Sequence, residues 1–173
     1  MTCLTQIEDY IYIKIFKDNN LKLTDEILKQ KKFSKLEELN IRDNKKITFV
    51  NHLRDSLIQL NIGLNCGVEQ EGFKDCNKIQ ILNAFNNEKV TSTNHLKDSL
   101  IQLNIGVDCG IDQKGFKDCN KIQILYANNN PKVTSINHLK DSLIQLDIGG
   151  NCGVDQQEFQ DCNKLEILYV RGN

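Results

Sequence analysis

The sequence predicts an α/β solenoid, a horseshoe with a concave parallel β-sheet and short 3₁₀ or single-turn helices on its convex side. Three observations lead there. A unit of 43 residues begins at Asn51, begins again at Asn94 and a third time at Asn137. Inside it a shorter phrase occurs twice: an apolar residue, two others, Leu, one other, an apolar residue, two others, Asn, two others, then Val or Ile. The phrase starts at Leu36, Leu57, Ile79, Leu100, Ile122, Leu143 and Leu165, in alternating steps of 21 and 22 residues. Its inner apolar pair, such as Leu60 and Ile62, is two apart and so shares one face of a strand, with Gln59, Asn61 and Gly63 on the other. A single strand of this kind cannot bury its apolar face. Stacked copies can, each touching only its neighbours.

The elements follow in order. Residues 1–35 do not repeat and read as an N-terminal cap. Ile11, Ile13 and Ile15 alternate with Tyr12, Lys14 and Phe16, a strand pattern. Tyr10, Ile13, Ile15, Asp18 and Leu21 follow the repeat phrase loosely, so this stretch is expected to form a degenerate first rung with Ile13 and Ile15 inward. Thr24 can cap a helix from Asp25 to about Phe33, with acids early and lysines late. Residues 36–173 form the solenoid of seven rungs, the last one incomplete. Two return segments alternate between strands, residues 66–78 and 88–99. Each has room for a turn or one short helix, so the convex side is expected to be thin.

The phrase resembles the leucine-rich repeat. Leu57, Leu60, Ile62, Asn65 and Val68 fit it, as do Ile122, Leu125, Ala127, Asn130 and Val133. The likeness runs from Leu36 to Asn173. Val133 and Thr134 after Asn130, and Gly115 and Phe116 with Cys119 three before Ile122, look like the cysteine-containing repeats of F-box-associated proteins. The repeat length is closer to the internalin-like class of bacteria. The subclass stays open between these.

Composition narrows the function. The chain has 173 residues and a net charge of −1 with both signs interspersed, so neither nucleic acid nor an anionic membrane surface is an expected partner. No apolar stretch approaches the ~18 residues of a membrane span. The start, MTCLTQIEDY, lacks a basic segment followed by an apolar core, so a cytoplasmic, reducing location is expected. Cys66, Cys109 and Cys152 share one repeat position, and Cys76, Cys119 and Cys162 another. Equivalent positions lie two rungs apart, ~10 Å, while a disulfide needs Cα atoms within ~7 Å. Bridges along the ladder are excluded; Cys66 to Cys76 is not. Buried free thiols are the expectation.

Four sets of residues could carry chemistry. Asn44, Asn65, Asn87, Asn130, Asn151 and Asn173 end their strands, with Asp108 in the same place. All are expected to turn inward and satisfy loop backbone groups. Asp108 would forfeit the donor bonds there, so Asp108→Asn is expected to stabilise. His52, His95 and His138 sit ~10 Å apart, too far to share one metal ion. His52, Asp55 and Ser56 hold the side chains of a hydrolase triad, but the set recurs three times at a turn, where Asp and Ser serve the backbone. No catalytic residue, cofactor or metal is expected, and the chain is not expected to be an enzyme.

The outward strand positions remain. Rungs displaying Gln, Asn or Asp and Gly alternate with rungs displaying Ile, then Asn83 and Phe85, Tyr126 and Asn128, or Tyr169 and Arg171. A protein–protein interaction module follows, binding a protein partner through Phe85, Tyr126, Tyr169 and Arg171, with Asn83, Asn104, Asn128 and Asp147 beside them. Two other readings stand next to it. One is the substrate-recognition part of a ubiquitin-ligase adaptor, suggested by the cysteine-class likeness and a faint F-box helix start in Ile7–Phe16. The other is a self-assembling structural repeat protein, associating through the uncapped edge at Leu165, Leu168 and Val170.

Overall fold

Each repeat phrase forms one strand of three residues. The computed structural model describes residues 13–18 and 22–172. The strands are β1 (Ile15–Lys17), β2 (Glu38–Asn40), β3 (Gln59–Asn61), β4 (Ile81–Asn83), β5 (Gln102–Asn104), β6 (Ile124–Tyr126), β7 (Gln145–Asp147) and β8 (Ile167–Tyr169). They make one parallel sheet in chain order, the arrangement of a solenoid. The central residues, from Phe16 and Leu39 through Leu60, Leu82, Leu103, Leu125 and Leu146 to Leu168, stand directly opposite one another.

The core runs behind this sheet as a column. Leu60, Ile62, Leu103, Ile105, Leu125 and Ala127 are fully buried, each strand giving its central residue and the residue just after the strand. A buried leucine of this kind stabilises by roughly 1.5–3 kcal/mol relative to exposure. The return segments close the column from behind with 3₁₀ turns, such as Asn94–Leu96 and Gln113–Gly115, which place Leu96 and Phe116 in the core. No longer helix fits, because each return segment is only 12 or 13 residues long and must also make its turns. Gly110 shows how tightly rungs pack: a Cβ there would lie 2.2 Å from the Glu88 carbonyl oxygen.

Three expectations change at the N-terminal end. The first rung is phased differently: Ile15 is 55 % exposed, and Phe16 takes the inward place opposite Leu39. Phe16 packs edge-on against the buried Phe33, 5.4 Å between centroids, which no isoleucine can match. The helix over 25–33 splits into α1 (Asp25–Leu28), capped by Thr24 Oγ1 accepting from the Ile27 N–H at 3.3 Å, and a 3₁₀ turn at Lys31–Phe33. Of the supposed F-box helix start, Ile15 and Phe16 lie in strand β1 and Ile13 and Lys14 in no regular element. Ile7 to Tyr12 lie outside the described residues, as do Tyr10, Leu21 and Asn173.

The asparagine ladder is also shorter than expected. Asn44, Asn87 and Asn130 are buried, but Asn65, Asp108 and Asn151 are exposed. Asn87 Nδ2 donates to the carbonyl oxygens of Ile62 at 2.8 Å and Val68 at 3.3 Å, and its Oδ1 accepts from the Lys89 N–H at 3.1 Å. Asn130 repeats this pattern with Ile105, Ile111 and Lys132. On the intervening rungs the cysteine one residue later, Cys66, Cys109 or Cys152, takes the inward place. The residue before the Asn or Asp position is left-handed on both kinds of rung, at Leu64 and Val107 as at Asn86 and Asn129, so that angle does not separate them. What differs is a glycine after each cysteine, Gly67, Gly110 or Gly153, where a Cβ would lie 2.5, 2.2 or 2.7 Å from a carbonyl oxygen of the preceding rung. Cys66, Cys109 and Cys152 are accordingly buried. The premise for Asp108→Asn as a stabilising change is therefore wrong.

At the other end the column is open in the described residues. Leu168 and Val170 are 39 % and 43 % exposed, while their equivalents Leu125 and Ala127 are fully buried.

Candidate partner-binding face

The sheet turns three columns of side chains outward. One is Ile15, Glu38, Gln59, Ile81, Gln102, Ile124, Gln145 and Ile167, in register from strand to strand. The second is Lys17, Asn40, Asn61, Asn83, Asn104, Tyr126, Asp147 and Tyr169. The third, just past the strands, holds Arg42, Gly63, Phe85, Gly106, Asn128, Gly149 and Arg171. Through the middle strands the first two columns are half-buried and flank a fully buried central leucine.

Of the eight candidate residues, all lie on this face, but they do not form one cluster. Phe85, Asn83 and Asn104 line a shallow depression with Arg42 over Gly63. Asn128, Asp147, Tyr169 and Arg171 line a second one over Gly149. Tyr126 stands on β6 beside the second, and its hydroxyl accepts from Gln145 Nε2 at 3.1 Å. That bond ties the tyrosine to the neighbouring rung. Arg42 was not singled out from the sequence, although it holds the same repeat position as Phe85 and Asn128.

Three candidates are partly committed to the fold. Asn83 Oδ1 accepts from the Phe85 N–H at 3.0 Å, Asn104 Oδ1 from the Gly106 N–H at 3.1 Å, and Asp147 Oδ1 from the Gly149 N–H at 3.1 Å. Asn40 and Asn61 do the same for Arg42 and Gly63. Each side chain thus caps the end of its own strand. What it offers a partner is the remaining group: an amide NH₂ from asparagine, a carboxylate oxygen from Asp147. Asn128 folds over Gly106, where its Oδ1 lies 2.6 Å from where a Cβ would be. The glycine gaps therefore have a packing cause as well as making room.

The histidines and serines of the return segments serve the scaffold. Ser99 Oγ donates to the Ile79 carbonyl oxygen at 2.8 Å and Ser142 Oγ to that of Ile122 at 2.8 Å. The His95 ring lies 5.1 Å from the Phe73 ring and the His138 ring 5.1 Å from Phe116. Burial pushes both imidazoles below their ordinary value, against weaker upward effects of a backbone hydrogen bond and of Asp75 or Asp118.

No family model matches the chain, and no curated protein matches it in sequence. Internalin C2 from Listeria monocytogenes is similar in structure, with a TM-score of 0.60 over 91 % of this chain and 80 % of that one at 17 % identity. The functional domain of InlJ from Listeria monocytogenes, which includes a cysteine ladder, is similar over 80 % of this chain and 40 % of that one, with a TM-score of 0.47 at 15 % identity. At 17 % identity the likeness to internalin C2 carries the architecture alone. Eight parallel strands in register and the open horseshoe agree with it, and the chain has the fold of a leucine-rich-repeat solenoid.

Proposed function

We propose that the chain is a protein–protein interaction module that binds its partner through the outward face of β4–β8. One observation carries the reading: Asp147, Tyr169 and Arg171 line a depression over Gly149, and Tyr126 stands beside it on the adjoining rung. Aromatic rings and arginine are the side chains that most often anchor interfaces, and a neighbouring depression gives a partner group somewhere to go. The repeats support it too. Gln59, Gln102 and Gln145 are identical on their rungs, while Asn83, Tyr126 and Tyr169 differ, as do Phe85, Asn128 and Arg171. A reducing location suits this reading, with all six cysteines among the described residues free.

The test is capture of partners from the native host with the wild type and with Tyr126→Ala/Tyr169→Ala. The reading predicts a captured protein that the double variant releases; a captured set indifferent to both tyrosines overturns it. We also propose that a polypeptide of these 173 residues associates with a second copy through the exposed Leu168 and Val170, where Ile148, Val154 and Phe159 line an apolar hollow.

A further inference from the structure

Resting on that reading, we propose that the partner presents an extended, proline-rich segment in polyproline II conformation, with an apolar residue at every third position, lying across the strands from β4 to β8. Two independent features of the face point to this backbone geometry.

The first is spacing. Ile81, Ile124 and Ile167 occupy one column at every second strand, with Gln102 and Gln145 between them. Two strand spacings are ~9.6 Å. Three residues of polyproline II advance ~9.3 Å. From Ile81 to Ile167 the mismatch grows only to ~0.6 Å (~19.2 against ~18.6), and side chains converging on the inside of a curved sheet reduce it. A β-strand repeats a face every ~6.8 Å and falls out of step at once. An α-helix brings residues seven apart to one face every ~10.5 Å, which leaves ~1.8 Å over the same path. Beside these isoleucines, on the same rungs, stand Tyr126 and Tyr169, also ~9.6 Å apart. Aromatic-lined grooves are how proline-rich segments are read.

The second is hydrogen bonding. Asn61, Asn83 and Asn104 each accept a backbone N–H on Oδ1, which fixes the orientation of the amide. Their NH₂ groups then point away from the loop, and among the described residues none of them meets an acceptor of this chain. The face so offers one such donor on each of β3, β4 and β5, and those of Asn83 and Asn104 lie under the proposed segment. A polyproline II segment has no internal hydrogen bonds, and its prolines have no N–H, so it is a chain of unpaired acceptors. A helix would bring carbonyls already used, and the donors would be left unpaired.

A library of displayed peptides of about 12 residues, twice the ~6 needed to run from Ile81 to Ile167, is selected on the full chain. The enriched sequences are then measured by fluorescence anisotropy against Ile124→Asn, Tyr126→Ala and Tyr126→Phe, each checked by circular dichroism for retained fold. The proposal expects apolar residues at every third position with prolines between them. It also expects binding weakened about tenfold or more by Tyr126→Ala and by Ile124→Asn, and kept by Tyr126→Phe, since the ring is the anchor. Enriched sequences that depend on Tyr126 but carry a helical spacing, or no period of three, overturn the proposal and leave the protein-binding reading standing. No enrichment, or enrichment blind to these substitutions, also overturns it. The broader reading falls only if capture of the native partner is indifferent to Tyr126 and Tyr169 as well.

Discussion

Asn130 reaches back 25 residues and donates its side-chain amide to the Ile105 carbonyl oxygen at 2.8 Å. The same amide meets the Ile111 carbonyl oxygen at 3.1 Å, and the side-chain oxygen accepts from the Lys132 N–H at 3.1 Å. One buried residue therefore satisfies three backbone groups on two rungs. Asn130→Ala leaves all three unpaired and should destabilise by about 2–3 kcal/mol. Asn130→Asp removes both donor bonds and adds a buried charge, so it should cost at least as much. Asp108→Asn, on an exposed turn, should change stability by less than about 0.5 kcal/mol. Urea unfolding of the three variants checks the contrast, and equal effects at positions 108 and 130 would remove the distinction between the two kinds of rung.

The thiols should be silent in the folded protein. Burial pushes Cys66, Cys109 and Cys119 up to about 11 and Cys76 to about 12, and it also raises Cys152 and Cys162. Almost no thiolate exists at neutral pH, and the thiolate is the reactive form. A thiol reagent should label these six slowly in native buffer, and all seven cysteines of the chain should react in denaturant. A denatured count of five or fewer would mean a disulfide.

Acid should weaken the fold through His95 and His138. Burial lowers both below their ordinary value, and Nε2 of each is buried without a hydrogen-bond partner among the described residues. The unfolded chain, whose histidines titrate near ~6.5, then takes up protons before the folded one does. Stability is held above ~6.5 and lost as pH falls below it. His95→Gln/His138→Gln should flatten the fall in melting temperature between about pH 7.5 and pH 5.5, whatever it does to stability at neutral pH. An unchanged slope would assign the acid sensitivity to other groups.

Size should depend on concentration. Leu168 and Val170 together present apolar surface beside the edge of β8, which pairs with no further strand among the described residues, and such edges recruit a second chain. Light scattering over a concentration series should show association that Leu168→Lys reduces. A monomer at every concentration contradicts the proposed contact.

Much of this fold can be read in the chain because a repeat corrects its own phase. Leu60, Leu103 and Leu146 recur at one spacing, and a slip of one residue would turn every rung inside out at once. Where the repeat stops, that protection stops. At Ile15 and Phe16 both phases bury something apolar, and the choice is made by Phe33, a contact no local pattern contains. Asp108 was misplaced because its phrase matches that of Asn130 letter for letter in spacing. The difference lies in the close approach to the preceding rung that Gly67, Gly110 and Gly153 permit after each cysteine. On the outward face, alternation located all eight candidates. It could not reveal that Oδ1 of Asn83, Asn104 and Asp147 is in each case already taken by the next N–H but one.

The binding face itself is tested most directly by calorimetric titration of the captured partner against two sets of variants. Tyr126→Ala, Tyr169→Ala and Arg171→Ala alter the outward face of the sheet; Lys97→Ala, Lys117→Ala and Lys140→Ala alter exposed positions on the return segments. The account predicts that at least one of the first set weakens binding by about 2 kcal/mol or more, as an anchor residue does, and that the second set leaves it within about 0.5 kcal/mol. The reverse pattern, affinity lost from the return segments and kept on the sheet, would contradict it.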